Sequence, residues 1–291
     1  MSRRTPAFAF VACALALAGC ERVGAPALPG VSRAPPPFDA AKLESAIDRR
    51  FGGVGTCVIV ADTKSGREIY QYGSHTLCRT PLPPCSTFKI ANGLIALDAG
   101  AVTPATVFKW DGTPQPVSAW ERDADLKTAF KESIVWWFQR VARGLGKGVY
   151  ARRLDEFGYG NEKPEGPVDR FWLGPSAGGG LTISTRQQAE FLHRFYAGRL
   201  PVKPETAAAV REIMVDETRG GATMSGKTGS CASNAENSRQ VGWWVGRLQT
   251  QKQDYVFAAS MEGANDSVLP GRELQIRVKT AFAQAGLWPS E

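Results

Sequence analysis

Strand-like sequence sits at the two ends of this 291-residue chain, and helix-like sequence fills the space between. "TCVIVADTKSGREIYQYG" (56–73) reads as two strands joined by a Lys-Ser-Gly turn. "ATMSGKTGS" (222–230), "QVGWWVGRLQ" (240–249) and "DYVFAASME" (254–262) read as three more strands. Between them, "DLKTAFKESIVWWFQRVARGLG" (125–146) and "STRQQAEFLHRFYAG" (184–198) read as helices, as does the Ala/Leu/Ile-rich run 86–98 that stops before Gly100. "FDAAKLESAIDRRF" (38–51), with Asp39 as candidate N-cap, and "GRELQIRVKTAFAQAG" (271–286) are terminal helices. The expected fold class is therefore α/β of the α+β type. A mostly antiparallel central sheet joins the N- and C-terminal strands, with the terminal helices on one face and the helical middle on the other. A separate helical domain is the alternative, but no Pro/Gly-rich linker marks its borders.

Residues 1–19 read as a signal peptide of the lipoprotein type. Arg3 and Arg4 precede the uncharged run 7–18, which is too short to span a bilayer. "LAGC" (17–20) resembles a bacterial lipobox, making Cys20 the candidate lipidation site. Residues 20–37, rich in Pro, Gly and Ala, suit an extended tether, and 38–291 form the folded domain. The expected location is the periplasm of a Gram-negative bacterium, with a lipid anchor in the outer or inner membrane. Without Arg3 and Arg4 the formal charge falls from +7 to +5, and no Lys/Arg run points to nucleic acid. Cys57, Cys78, Cys85 and Cys231 remain after the leader and Cys20, an even number that suits two disulfides in an oxidising compartment. With only His75 and His193, a zinc site built on several histidines is excluded.

Three short stretches carry candidate chemistry. Ser86-x-x-Lys89 puts a hydroxyl and an amine on one helix face, near enough for the lysine to serve the serine. Alone it is weak, since roughly one Ser-x-x-Lys arises by chance in a chain this long. Ser133 in "SIV" (133–135), within a helical run, can both donate and accept a proton. "KTG" (227–229), in the first of the late strands, can dock a carboxylate, its glycine admitting a second backbone.

In this order, and together with "STFK", "WERD" (120–123), "YGN" (159–161), "FWL" (171–173), "GWWVG" (242–246) and "LPGR" (269–272), these stretches resemble the class D, oxacillinase-type serine β-lactamases. The resemblance covers essentially all of 38–291 and implies the β-lactamase/penicillin-binding transpeptidase fold. It implies hydrolysis of the β-lactam amide of penicillins and related antibiotics through an acyl-serine. Ser86 would be the nucleophile, Ser133 the proton relay, and Lys89, carboxylated by CO2 or bicarbonate, the general base. No other cofactor or metal is implied. Phe88, Val135, Trp172 and Leu173 are candidates for the apolar pocket that lowers the lysine pKa, the Trp172 indole N–H donating to the carbamate. Trp120, Lys227, Thr228, Gly229, Ser230 and Arg272 would bind substrate, the backbone N–H groups of Ser86 and Ser230 forming the oxyanion hole. The resemblance also places Cys85 and Cys231 across one site, implying Cys85–Cys231 and Cys57–Cys78, with Cys78–Cys85 as the rival pairing. Oligomeric state stays open between monomer and homodimer.

Two rivals share the motifs, a β-lactam sensor domain and a cell-wall peptidase. Both normally bring further membrane segments or domains, and the peptidase lacks "YGN" and "FWL". "GPSAG" (174–178) matches a nucleophile-elbow pattern, but Gly178 to Gly180 make poor helix, so a flexible loop is expected there. The seven residues 174–180 also exceed the family's usual length.

Overall fold

Asp39 accepts the Lys42 backbone N–H at 2.9 Å, capping α1 (Ala40–Phe51), which buries Leu43, Ala46, Ile47 and Phe51. The computed structural model describes residues 38–51, 54–264 and 270–289. The leader, Cys20, the tether and Leu269 of "LPGR" lie outside the described residues.

After α1 the described elements run β1 (Gly55–Asp62), β2 (Glu68–Tyr72), α2 (His75–Arg79), a 3-10 turn (Cys85–Phe88) and α3 (Lys89–Asp98). The helical middle holds α4 (Leu126–Lys131), α5 (Val135–Leu145), α6 (Lys147–Phe157), α7 (Thr185–Tyr196) and α8 (Pro204–Met214). β3 (Val215–Arg219), β4 (Ala222–Ala232), β5 (Arg239–Gln249), β6 (Asp254–Ala264) and α9 (Pro270–Gln284) follow. The strands form one six-stranded sheet in the order β2-β1-β6-β5-β4-β3, with every pairing antiparallel. β1 lies against β6, so the two ends of the chain do share one sheet. The helical middle belongs to the same compact unit as the sheet.

Both faces of the sheet are covered, and adjacent tryptophans on β5 show how. Successive strand residues point to opposite faces, so Trp244 joins Phe257 and Phe282 beneath α1 and α9, while Trp243 joins the core under the middle helices. Both indoles are fully buried, each removing about 150–250 Å² from water, about 4–6 kcal/mol of transfer free energy.

Three details differ from the sequence expectation. The run 125–146 is two helices. Ser133 turns left-handed (φ 59°), and Ile134 N–H closes back on Ala129 C=O at 2.9 Å, a Schellman-type stop. A glycine usually marks that stop, and serine at this position hides it. β3 was not anticipated, because its polar sequence "VDETR" has no strand-like alternation. "KTG" therefore lies on the second late strand, β4. Segment 174–180 is tied down rather than loose, since Gly179 and Gly180 N–H donate to Gly174 and Glu165 carbonyls. Ser176 sits there in a short 3-10 turn, without the strand and helix that an elbow needs.

Disulfides join Cys57 to Cys78 and Cys85 to Cys231, across sequence separations of 21 and 146. Loop-closure entropy predicts that the longer bridge matters more, about 5 against about 3 kcal/mol. The double variant Cys85→Ala/Cys231→Ala is therefore expected to lose more urea stability than Cys57→Ala/Cys78→Ala.

Candidate active site

Ser86 lies in the 3-10 turn and Lys89 is the first residue of α3. Residues three apart eclipse in such a turn, and Lys89 Nζ donates to Ser86 Oγ at 2.8 Å. Several bonds fix the turn. Cys85 N–H donates to Trp172 C=O at 3.0 Å, and the Trp243 indole donates to Pro83 C=O at 2.8 Å. The buried Gln188 amide donates to Thr87 Oγ1 at 2.8 Å. Cys85 itself holds φ 50°, a left-handed conformation that its surroundings and its bridge impose directly beside Ser86.

Lys89 is wholly buried, whereas Ser86 keeps partial access to solvent. The lysine nitrogen lies 5.4 Å from the Phe138 ring centroid, and none of its described hydrogen-bond or ion-pair partners is a carboxylate. Burial holds its pKa well below the ordinary lysine value, and the charge of Lys227 acts in the same sense. Phe88 packs on Trp172 at 5.6 Å between ring centroids, and both are fully buried. The Trp172 indole N–H is buried with no acceptor, a state that costs about 1–3 kcal/mol. The Asn92 amide nitrogen is a second buried donor without an acceptor, while its oxygen accepts from Tyr150 at 2.8 Å. Leu173 is half-buried against this core; Val135 is half-buried and lies outside it.

The opposite wall is β4. β3 pairs with it only as far as Ser225, while β5 follows it to Ala232. From Gly226 onward the outer edge of β4 therefore has no strand partner, and part of it meets the 3-10 turn. A Cβ on Gly229 would lie 3.1 Å from Pro84 O and 3.2 Å from Thr87 N, so only a glycine lets these backbones approach unhindered. Lys227 is buried and donates to Thr228 C=O at 2.9 Å, with Phe130 at 5.9 Å. Burial and then the Lys131 charge hold its pKa down to about 7, against an opposing pull from Asp216. Ser230 Oγ accepts the Gly271 N–H at 2.9 Å, so its hydroxyl is engaged with α9. Arg272, exposed on the first turn of α9, directly follows Gly271, whose Cα sits against Gly229 O.

Ser133 closes the end of α4, the helix on which Phe130 stands beside Lys227. Trp120 steadies that turn. Its indole donates to Glu132 C=O at 2.9 Å, and the Trp136 indole donates to Trp120 C=O at 2.8 Å. Sequence reasoning missed Phe130, Phe138 and Gln188, which shape the pocket without belonging to any motif. Phe138 lies with Trp137 and Val141 on the buried face of α5, a placement that no motif announces.

The penicillin-binding protein transpeptidase domain family matches residues 56–283. The β-lactamase OXA-10 of Pseudomonas aeruginosa is 38% identical over 191 residues, 65% of this chain and 70% of that protein. The β-lactamase OXA-48 of Klebsiella pneumoniae is 39% identical over 180 residues, 62% of this chain and 65% of its own. A class D β-lactamase structure from Bacillus subtilis superposes with a TM-score of 0.74 at 29% identity, covering 84% of this chain and 97% of its own.

A lysine whose folded pKa is depressed binds fewer protons in the native than in the unfolded state. Stability then rises with pH between the two values. In a Lys89→Met variant, which leaves Lys227 and Lys131 as the depressed lysines, urea stability is expected to climb from about pH 7 to about pH 9. Above that the buried tyrosines Tyr150, Tyr159 and Tyr196, raised by desolvation, act in the opposite sense. A Lys89→Met/Lys227→Met protein should lose most of the climb, with Lys131 left to supply the rest.

Proposed function

The chain belongs to the class D β-lactamases, hydrolases that open β-lactam rings and so confer antibiotic resistance, and we propose that it works through Ser86 with Lys89 carried as a carbamate. The observation that carries this reading is the buried indole N–H of Trp172, which has no acceptor among the described residues, together with the buried Lys89 amine, whose pKa burial lowers. A neutral amine is the form that takes up CO2, and a carbamate oxygen satisfies a donor that otherwise stays orphaned. Once formed, the carbamate supplies a general base beside Ser86 Oγ.

The residues of the chain then divide the work. Ser86 Oγ attacks the lactam carbonyl, the C–N bond breaks, and an acyl-serine forms. Ser133, held on its left-handed turn, passes a proton to the leaving nitrogen. The backbone N–H groups of Ser86 and Ser230 receive the oxyanion. That role for Ser230 needs only its main chain, which agrees with its hydroxyl being turned to α9. Lys227, Thr228 and Arg272 hold the substrate carboxylate, the guanidinium offering a two-pronged contact, and Trp120 borders the cleft. Water then releases the acid and regenerates Ser86. We place the protein in the periplasm, tethered through Cys20, with penicillins as its default substrates.

One assay series tests the reading. With a chromogenic cephalosporin, continuous turnover supports the hydrolase, and a single stoichiometric burst supports an acyl-retaining sensor or peptidase. Removal of CO2 by acidification and degassing should suppress turnover, and labelled bicarbonate should restore it with a new carbamate carbon signal. Trp172→Phe should need about tenfold more bicarbonate for the same rate, about the loss of one hydrogen bond to a charged group. Fast turnover without CO2 and without the carbon signal would falsify the carbamate.

A further inference from the structure

Behind "KTG" lies a small cavity of about 90 Å³, lined by Phe130 and Lys131 of α4, Asp216 of β3, Gly226, Lys227 and Thr228 of β4, and Gln275 of α9. Neither Ser86 nor Lys89 is among its lining residues, and no role assigned above uses Lys131 or Asp216. Neither side chain is loose. Lys131 Nζ donates to the Val215 carbonyl, and Asp216 Oδ2 accepts from Gln275 at 3.0 Å. One cation and one anion are thus anchored on separate elements against the buried ammonium of Lys227.

We infer that Lys131 and Asp216 act as opposed positioning residues that set how much charge Lys227 presents to a substrate carboxylate, and hence how strongly the enzyme prefers carboxylate-bearing substrates. The inference rests on the assignment of Lys227 to the substrate carboxylate. The other groups facing Lys227 cannot do this work. Phe130 and Gln275 are uncharged, Val245 is its neighbour on β5, and Lys89 is the one further ionisable group coupled to it. Lys131 and Asp216 are exposed at this cavity while Lys227 is buried, so their charges reach it partly screened by solvent. Lys131 opposes protonation of Lys227 and Asp216 favours it, in agreement with the pKa of about 7 given by burial with both charges present.

The test compares kcat/KM for a penicillin with that for its methyl ester, across pH and in saturating bicarbonate so that Lys89 stays modified. The acid-to-ester ratio isolates the carboxylate contact. Its alkaline fall should move to lower pH in Asp216→Asn and to higher pH in Lys131→Gln, changing the ratio about threefold in each direction at about pH 8. Lys131→Arg and Asp216→Glu, which keep the charges, should restore the wild-type profile. A ratio that follows the wild-type curve in both neutral variants, while their circular dichroism and urea midpoints remain native, overturns the inference. Equal losses of acid and ester turnover without any pH displacement overturn it as well, since they indicate a structural role alone. Lys227→Ala separates the two layers of the argument. If that variant leaves the acid-to-ester ratio unchanged, the carboxylate assignment itself fails; if it abolishes the preference while the Lys131 and Asp216 variants do nothing, only the present inference fails.

Discussion

The buried amine of Lys89 is the constraint around which the rest of the site is arranged. A buried lysine beside Phe138, with no carboxylate among its described partners, cannot stay an ammonium without a large desolvation penalty. The protein has to spend packing energy elsewhere to tolerate it. The paired tryptophans of β5, the two disulfides and the aromatic cluster linking Phe88, Tyr159, Phe171 and Trp172 provide that surplus. An active site that is locally unfavourable inside a scaffold that is globally stable is the expected division of labour in an enzyme.

Backbone strain marks the Ser86 turn and the α4–α5 turn. Cys85 and Ser133, two of the few non-glycine residues at positive φ, stand on these two elements; Cys85 is held by the Trp172 carbonyl and its bridge, and Ser133 by the helix stop that it closes. The left-handed turn at Ser133 takes its hydroxyl off a helix surface, where it would be one more solvated serine. Such outliers persist only where surrounding structure over-determines them. Here the surroundings are Trp120 on one side and the Cys231 bridge on the other.

Much of this was legible in the chain. Strand segments at both ends dictated a sheet shared by the termini, and Ser86, Lys89, Ser133 and Lys227 could be named from three motifs in order. Periodicity failed where the backbone departs from its usual residue preferences: the serine-terminated α4 and the polar edge strand β3. It also could not show that the Ser230 hydroxyl turns to α9, because alternation on a strand gives the face of a side chain and not its partner. Lys131 and Asp216 were invisible for a different reason. They lie far apart in sequence, belong to no motif, and meet Lys227 only through the packing of α4 and β3 on β4.

The early end of β3 has a further meaning. Because β3 pairs with β4 only as far as Ser225, the outer edge of β4 beyond it has no strand partner among the described residues, an edge of the kind that peptide-binding modules offer to an extended guest. A molecule that carries its own flat amide can settle along that edge as a fragment of an absent strand, zipped in by main chain before any side chain recognises it. Recognition of this kind is tolerant of what hangs from the guest, because main-chain bonds carry no side-chain preference.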